Sequence, residues 1–167
     1  MLNKKSTRFI LLNLIGKSFI PGSKRFVLDK VSLKEVNVGW TSNNFNELFL
    51  GKIEENIKDT TLAIHCLEKR SLDNKIRKEL GYGDETTLTH FLGLIKKQSN
   101  GQEGHLTVSG YANIAYIRDK YGSLWVVSAY WHLDKRCWYI LANSVDNPYE
   151  WHEGLRVISI QTIDKIS

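Results

Sequence analysis

The sequence predicts an α+β fold: N-terminal strands, two to four helices in the middle, and a C-terminal antiparallel β-meander packed against the helices. Three observations carry this. Apolar residues recur at helical spacing in the middle of the chain, as in Leu88, Phe91, Leu92 and Ile95. β-branched and aromatic runs separated by turn residues fill the C-terminal part, with four of the five tryptophans after residue 124. Ser99-Asn-Gly-Gln-Glu-Gly104 is a clear loop between the two. Helices and strands that are segregated rather than alternating point to α+β. At 167 residues the chain is read as one domain, with residues 1–104 as a strand-plus-helix part and 105–167 as an aromatic meander.

In chain order, Lys4, Lys5 and Arg8 precede the apolar run Phe9–Ile15. The run is short, Asn13 breaks it, and Gly16-Lys17-Ser18 is a poor cleavage site, so it reads as a buried strand or short helix rather than a secretory leader. No apolar run is long enough to span a bilayer, and the expected compartment is the cytoplasm. Ile20-Pro21-Gly22-Ser23 is a turn. Arg25–Leu28 and Val31–Val38 read as strands. Asn44 with Glu47 resembles a capping box, opening a helix over 45–57 on Phe45, Leu48, Phe49, Ile53 and Ile57. Thr60–Leu67 fits a strand or a helix. Ser71 is the expected N-cap of a helix carrying Leu72, Ile76 and Leu80, closed by Gly81. A further helix spans 86–97. Leu106–Val108 and Tyr111–Arg118 read as strands, Asp119-Lys-Tyr-Gly122 as a hairpin loop, and Leu155–Ile160 as the last strand.

The densest stretch is the hairpin Ser123–Asn143. A two-residue loop at Asp134-Lys135 sets Leu133 opposite Arg136, His132 opposite Cys137, Trp131 opposite Trp138 and Tyr130 opposite Tyr139. One face is then apolar: Trp125, Val127, Ala129, Trp131, Trp138, Ile140 and Ala142. The other is mixed: Val126, Ser128, Tyr130, His132, Cys137, Tyr139, Leu141 and Asn143. With the rings around it, this mixed face is expected to be an ordered aromatic surface.

The net charge of +5 is compatible with an acidic partner without requiring one, because Lys and Arg are spread along the chain. Cys66 and Cys137 are far apart and form no CxxC pair, which favours a reducing compartment and leaves a single Cys66–Cys137 disulfide open. His65, His90, His105, His132 and His152 lack metal-ligand spacing, and no glycine-rich phosphate loop is present. No metal and no cofactor is therefore expected. His132 and Cys137 are the weak catalytic candidates, as cross-strand neighbours able to form a thiolate pair. Asp146, Glu150 and Glu153 flank Trp151 and His152 in what reads as a loop.

Two resemblances arise at the C-terminus. Ala142-Asn-Ser-Val-Asp-Asn-Pro148, followed by Trp151, Gly154 and Arg156-Val-Ile-Ser159, resembles the ending of uncharacterised bacterial proteins with a Trp-rich hairpin tail. The order Cys137 … Gly154-Leu-Arg-Val157 is similar to the end of C-type-lectin-fold variable domains, which implies a C-terminal segment displaying Asn, Tyr, Asp and Ser to a ligand. Together these readings favour a non-enzymatic binding module that presents Tyr130, His132, Tyr139, Asn143, Tyr149 and Trp151 to a protein or glycan partner. The alternatives are a small Cys/His-dependent hydrolase or transferase, and a binder of single-stranded nucleic acid using the rings with Arg118, Lys135 and Arg136.

Overall fold

A computed structural model describes residues 10–160. Lys4, Lys5, Arg8 and Phe9 of the N-terminal run lie outside the described residues. The strands are β1 Leu12–Ile20, β2 Ser23–Val27, β3 Val38–Thr41, β4 Ile53–Ile57, β5 Thr60–Leu67, β6 Glu85–Thr86, β7 Asn113–Arg118, β8 Leu124–His132, β9 Cys137–Ser144 and β10 Arg156–Ile160. The helices are α1 Lys30–Glu35, α2 Asn43–Phe49, α3 Asp73–Leu80 and α4 Leu88–Lys96. The fold is α+β.

Its centre is one mixed sheet in the order β1-β5-β10-β7-β8-β9-β3. β10 runs parallel to β7 only over Arg156 and Val157, and β6 then takes the place beside Tyr116 and Ile117 of β7. The sheet draws strands from both halves of the sequence, so the C-terminal meander is not a separate layer. β2 and β4 form a two-stranded ribbon. One sheet face, with Ile64, Val127, Trp138, Ile140 and Ile158, packs on Phe45 and Phe49 of α2 and on Leu88, Phe91 and Ile95 of α4. The opposite face carries a smaller core in which Ile76 of α3 meets Leu67, Ile114, Tyr116, Val126 and Val157.

Local chemistry explains where the elements fall. α1 starts on a reciprocal cap: Asp29 accepts from the Ser32 amide and Ser32 accepts from the Asp29 amide. That box overrides the partial alternation of Val31–Val38, so the expected strand there is a helix, and β2 pairs with β4 instead of with a following strand. α2 is capped by Ser42, whose hydroxyl accepts from Phe45, not by Asn44. It ends at Phe49 because Gly51 turns the chain at φ 90°. The predicted helix over 45–57 is thus a short helix followed by β4. Thr60–Leu67 is a strand. α3 is preceded by Leu72 without a side-chain cap, while Ser71 pairs its backbone with Trp151. α4 starts at the Thr87 cap.

Leu106–Val108 is not a strand. The Gln98 side chain accepts from the Leu106 amide at 2.9 Å and donates to the Leu106 carbonyl at 3.1 Å. Asn113 serves Thr107 in the same way. Two side-chain amides thus take the place of a neighbouring strand.

The β8–β9 hairpin has the predicted register and the predicted faces. His132 lies opposite Cys137, Trp131 opposite Trp138, and Tyr130 opposite Tyr139. The loop, however, has four residues, Leu133–Arg136, with Arg136 at φ 54° and its amide donating to the His132 carbonyl. A loop of two and a loop of four centred on the same point give the same parity, which is why the faces survive this correction. Both cysteines are free, so no Cys66–Cys137 disulfide forms.

Candidate binding surface

α3 and the segment around Trp151 cover only the middle of their sheet face. Towards the β3 edge the face is open, and three rings lie there in a row. Trp40 of β3 sits 5.1 Å from Tyr139 of β9, centroid to centroid, at 35° between planes. Tyr139 stacks on His132 of β8 at 4.6 Å and 28°. Trp40 is 44% exposed, while Tyr139 and His132 are half-buried. Tyr130 continues the row as the cross-strand partner of Tyr139, and burial raises its phenol above the ordinary range.

The row depends on one extra residue in β3. Val38 pairs with Trp138 and Trp40 with Tyr139, so two steps on β3 match one on β9, with Gly39 as the extra residue. Without this bulge, Trp40 would fall opposite Ile140 and point with it into the core. A Cβ on Gly39 would lie 2.4 Å from the Cys137 Sγ. The glycine therefore also makes room for the buried thiol behind it.

His132 is fixed by its own loop. Its Nδ1 accepts from the Lys135 amide at 3.1 Å, which places the proton of the neutral ring on Nε2. Neither Cys137 nor a carboxylate hydrogen-bonds to His132 among the described residues. The sheet thus brings His132 and Cys137 together as neighbours without a nucleophile–base bond. No group of three or more His, Cys, Asp or Glu able to hold a metal ion occurs among the described residues.

Of the six predicted binding residues, Tyr130, His132 and Tyr139 converge. Asn143 is half-buried on the same face of β9, further along, opposite Val126. Tyr149 is exposed on the connection to β10, with its amide donating to the Asn147 side chain. Trp151 is half-buried against the smaller core, and its Nε1 donates to Asp73 at 2.8 Å. The Tyr116 hydroxyl donates to the same oxygen at 2.7 Å. Burial raises the Asp73 carboxyl above its usual range, against the pull of these two bonds and of Arg77. Trp151 thereby ties the last connection to the first turn of α3.

The rings of 106–159 divide between the core and the surface. Trp131 and Trp138 meet edge to face at 5.6 Å inside the main core. Tyr116 is buried on the opposite face, and Tyr121 and Tyr149 are exposed singly. The residue missed was Trp40, the tryptophan outside that stretch. Its signal was Gly39, a small residue inside a strand pattern, which marks a bulge.

Beside Trp40, an open hollow of about 550 Å³ runs along the β3 edge, lined by Lys30, Lys34, Asn37 and Thr41 among others. Asn37, at φ 62°, binds this corner by donating to the carbonyls of Ser99 and Arg136. No helix among the described residues is long and apolar enough to cross a membrane. No family model, curated protein or solved structure matches the chain.

Proposed function

We propose that this protein is a non-enzymatic binding module whose contact surface is the open end of the sheet at Trp40, Tyr139, His132 and Tyr130, and whose partner is a protein or a glycan. The observation that carries the reading is the row of three contacting rings on the part of the sheet face that α3 leaves open. Rings already held by their neighbours lose little entropy on binding, and aromatic residues dominate contact energies at interfaces. The β3 bulge supports the reading, because it holds a large apolar ring in water where a regular strand would bury it. Cys137, buried and unpaired with His132, does not support the hydrolase alternative. The test is glycan-array and bait-protein binding of the native protein beside Trp40→Ala and Tyr139→Ala. Both variants are expected to lose at least tenfold in affinity, about 1.4 kcal/mol, with Tyr149→Ala unchanged. Full retention in both ring variants refutes the site.

Binding of single-stranded nucleic acid is the second reading. It is favoured by Lys30 and Lys34 lining the hollow beside Trp40. It requires affinity that falls steeply with salt, and no binding at low salt dismisses it.

A further inference from the structure

The same sheet face opens a second time, beyond the C-terminal end of α3. A cavity of about 300 Å³ lies there, floored by Ala63 and His65 of β5 and Ser159 of β10, with Leu14 and Lys17 of β1 on one side and Glu79 and Leu80 of α3 on the other. Its origin is local. Ser159 stands directly opposite Ala63, and Lys17 pairs with Ala63 from the other side. Two small side chains on neighbouring strands leave a depression where the adjoining positions carry the larger His65 and Val157. α3 does not extend over it, because Gly81 turns the chain away at φ 70°.

Two polar side-chain atoms in this cavity are left without a partner by the fold. His65 Nδ1 is buried without a hydrogen-bond partner. Ser159 is 3% exposed, and its hydroxyl makes no hydrogen bond to the described residues. Burial holds His65 below the usual imidazole range, against the opposing pull of the Val157 backbone and Glu79, so the ring is neutral near pH 7. Lys17 and Glu79 line the same cavity with opposite charges, yet no ion pair joins them. Glu79 is held in place by the amides of Leu11 at 2.9 Å and Leu12 at 2.8 Å. Each of its oxygens keeps a second acceptor site free. Leu12, Leu14, Leu80 and Ile160 supply apolar wall.

We propose that this cavity binds a compact zwitterion, a free α-amino acid with a small aliphatic side chain. The carboxylate meets Lys17 and the Ser159 hydroxyl, the ammonium meets Glu79, and the side chain lies on the leucine wall. The size is at the lower end of small-ligand pockets, which restricts the site to such a ligand. A fixed carboxylate and an ammonium that do not reach each other are complementary to a ligand carrying both charges, each met by a charge-assisted hydrogen bond.

The test is an amide-shift NMR titration of the full chain with leucine, with 4-methylpentanoate, which lacks the amine, and with 3-methylbutylamine, which lacks the carboxylate. Leucine is expected to give saturable shifts in β1, β5 and β10, and each analogue to bind at least tenfold more weakly. Lys17→Gln, at an exposed position, is expected to weaken leucine at least tenfold. Ser159→Val is expected to abolish binding while its spectrum stays that of the folded protein. Trp40→Ala is expected to bind leucine normally, which separates this site from the ring row. Absence of saturable shifts at about 10 mM leucine, or equal binding of either analogue, overturns the proposal.

Discussion

Glu54 is the residue whose removal has the most calculable effect. It lies on β4, is 6% exposed, and ends against the N-terminus of α4. Its carboxylate accepts from the Leu88 amide at 3.0 Å, the Thr89 amide at 2.8 Å and the Thr89 hydroxyl at 2.5 Å, and pairs with the Lys52 ammonium at 3.1 Å. Lys52 in turn donates to the Arg118 carbonyl. Glu54→Ala therefore strands two helix-terminal amides and one cation whose side chain is 15% exposed. Breaking a buried pair in this way costs about 3–5 kcal/mol, which in a domain of this size lowers Tm by roughly 6–20 °C. Glu55→Ala is the control. Its contact with Arg25 is at 3.8 Å between side chains more than half exposed, so its loss should cost under ~0.5 kcal/mol. Urea denaturation followed by tryptophan fluorescence reads both. Burial raises the Glu54 carboxyl, but the Thr89 hydroxyl and amide, Lys52 and the Leu88 amide outweigh it and leave the group below its ordinary 4.5. Its stabilisation is thus full above that value and lost as pH falls through the lower, folded one. A Glu54→Ala cost below about 1 kcal/mol, or no coupling to Lys52→Met in a double-mutant cycle, would refute this account.

Three further outcomes are expected. Arg136→Gly should stabilise the protein by roughly 0.5–1 kcal/mol, because Arg136 holds a left-handed conformation at φ 54° on an exposed loop; a destabilisation would contradict the loop geometry. Asp73 has the opposite pH sign to Glu54. Its folded carboxyl is raised above 3.8, so its stabilisation is full below 3.8 and falls as pH rises through the folded value. Urea midpoints should show Asp73→Asn gaining on the native protein between acid and neutral pH, and a constant difference would show the carboxyl to be unperturbed. Gly39→Ala should cost roughly 1–3 kcal/mol through its clash with the Cys137 sulfur. Most of that cost should vanish in a Cys137→Ala background, as measured by a thermal-shift cycle.

How much was legible in the sequence divides along physical lines. Where one face of a strand pair is buried and the other is not, alternation is a strong signal, and the faces and register of β8 and β9 could be read directly. Where a backbone is decided by a single cap or a single glycine, periodicity misleads. Phe45, Phe49, Ile53 and Ile57 fit one helical stripe, yet Gly51 divides them between α2 and β4. Asp29 and Ser32 carried a legible cap that the alternation of Val31–Val38 concealed. Leu106–Val108 has a strand composition, but its partners are the side chains of Gln98 and Asn113, which no pattern within the segment reveals. At the candidate site, Tyr130, His132 and Tyr139 were legible because they share a hairpin. Trp40 was not, because it reaches them through a parallel pairing between residues about a hundred positions apart, set by the bulge at Gly39. The cavity at His65 and Ser159 is likewise assembled from distant strands.

The bulge at Gly39 lets one short strand serve a core and a surface at once. Val38 and Trp40 are two positions apart, a spacing that in a regular strand puts both side chains on one face, yet Val38 pairs with the buried Trp138 and Trp40 with Tyr139. Deleting Gly39 would keep both pairings in a regular ladder, with the indole still beside Tyr139. Regularising the strand at its present length would instead set Trp40 opposite Ile140, among the core residues. The ring row thus tolerates the loss of the extra residue but not a slip of one position along this edge.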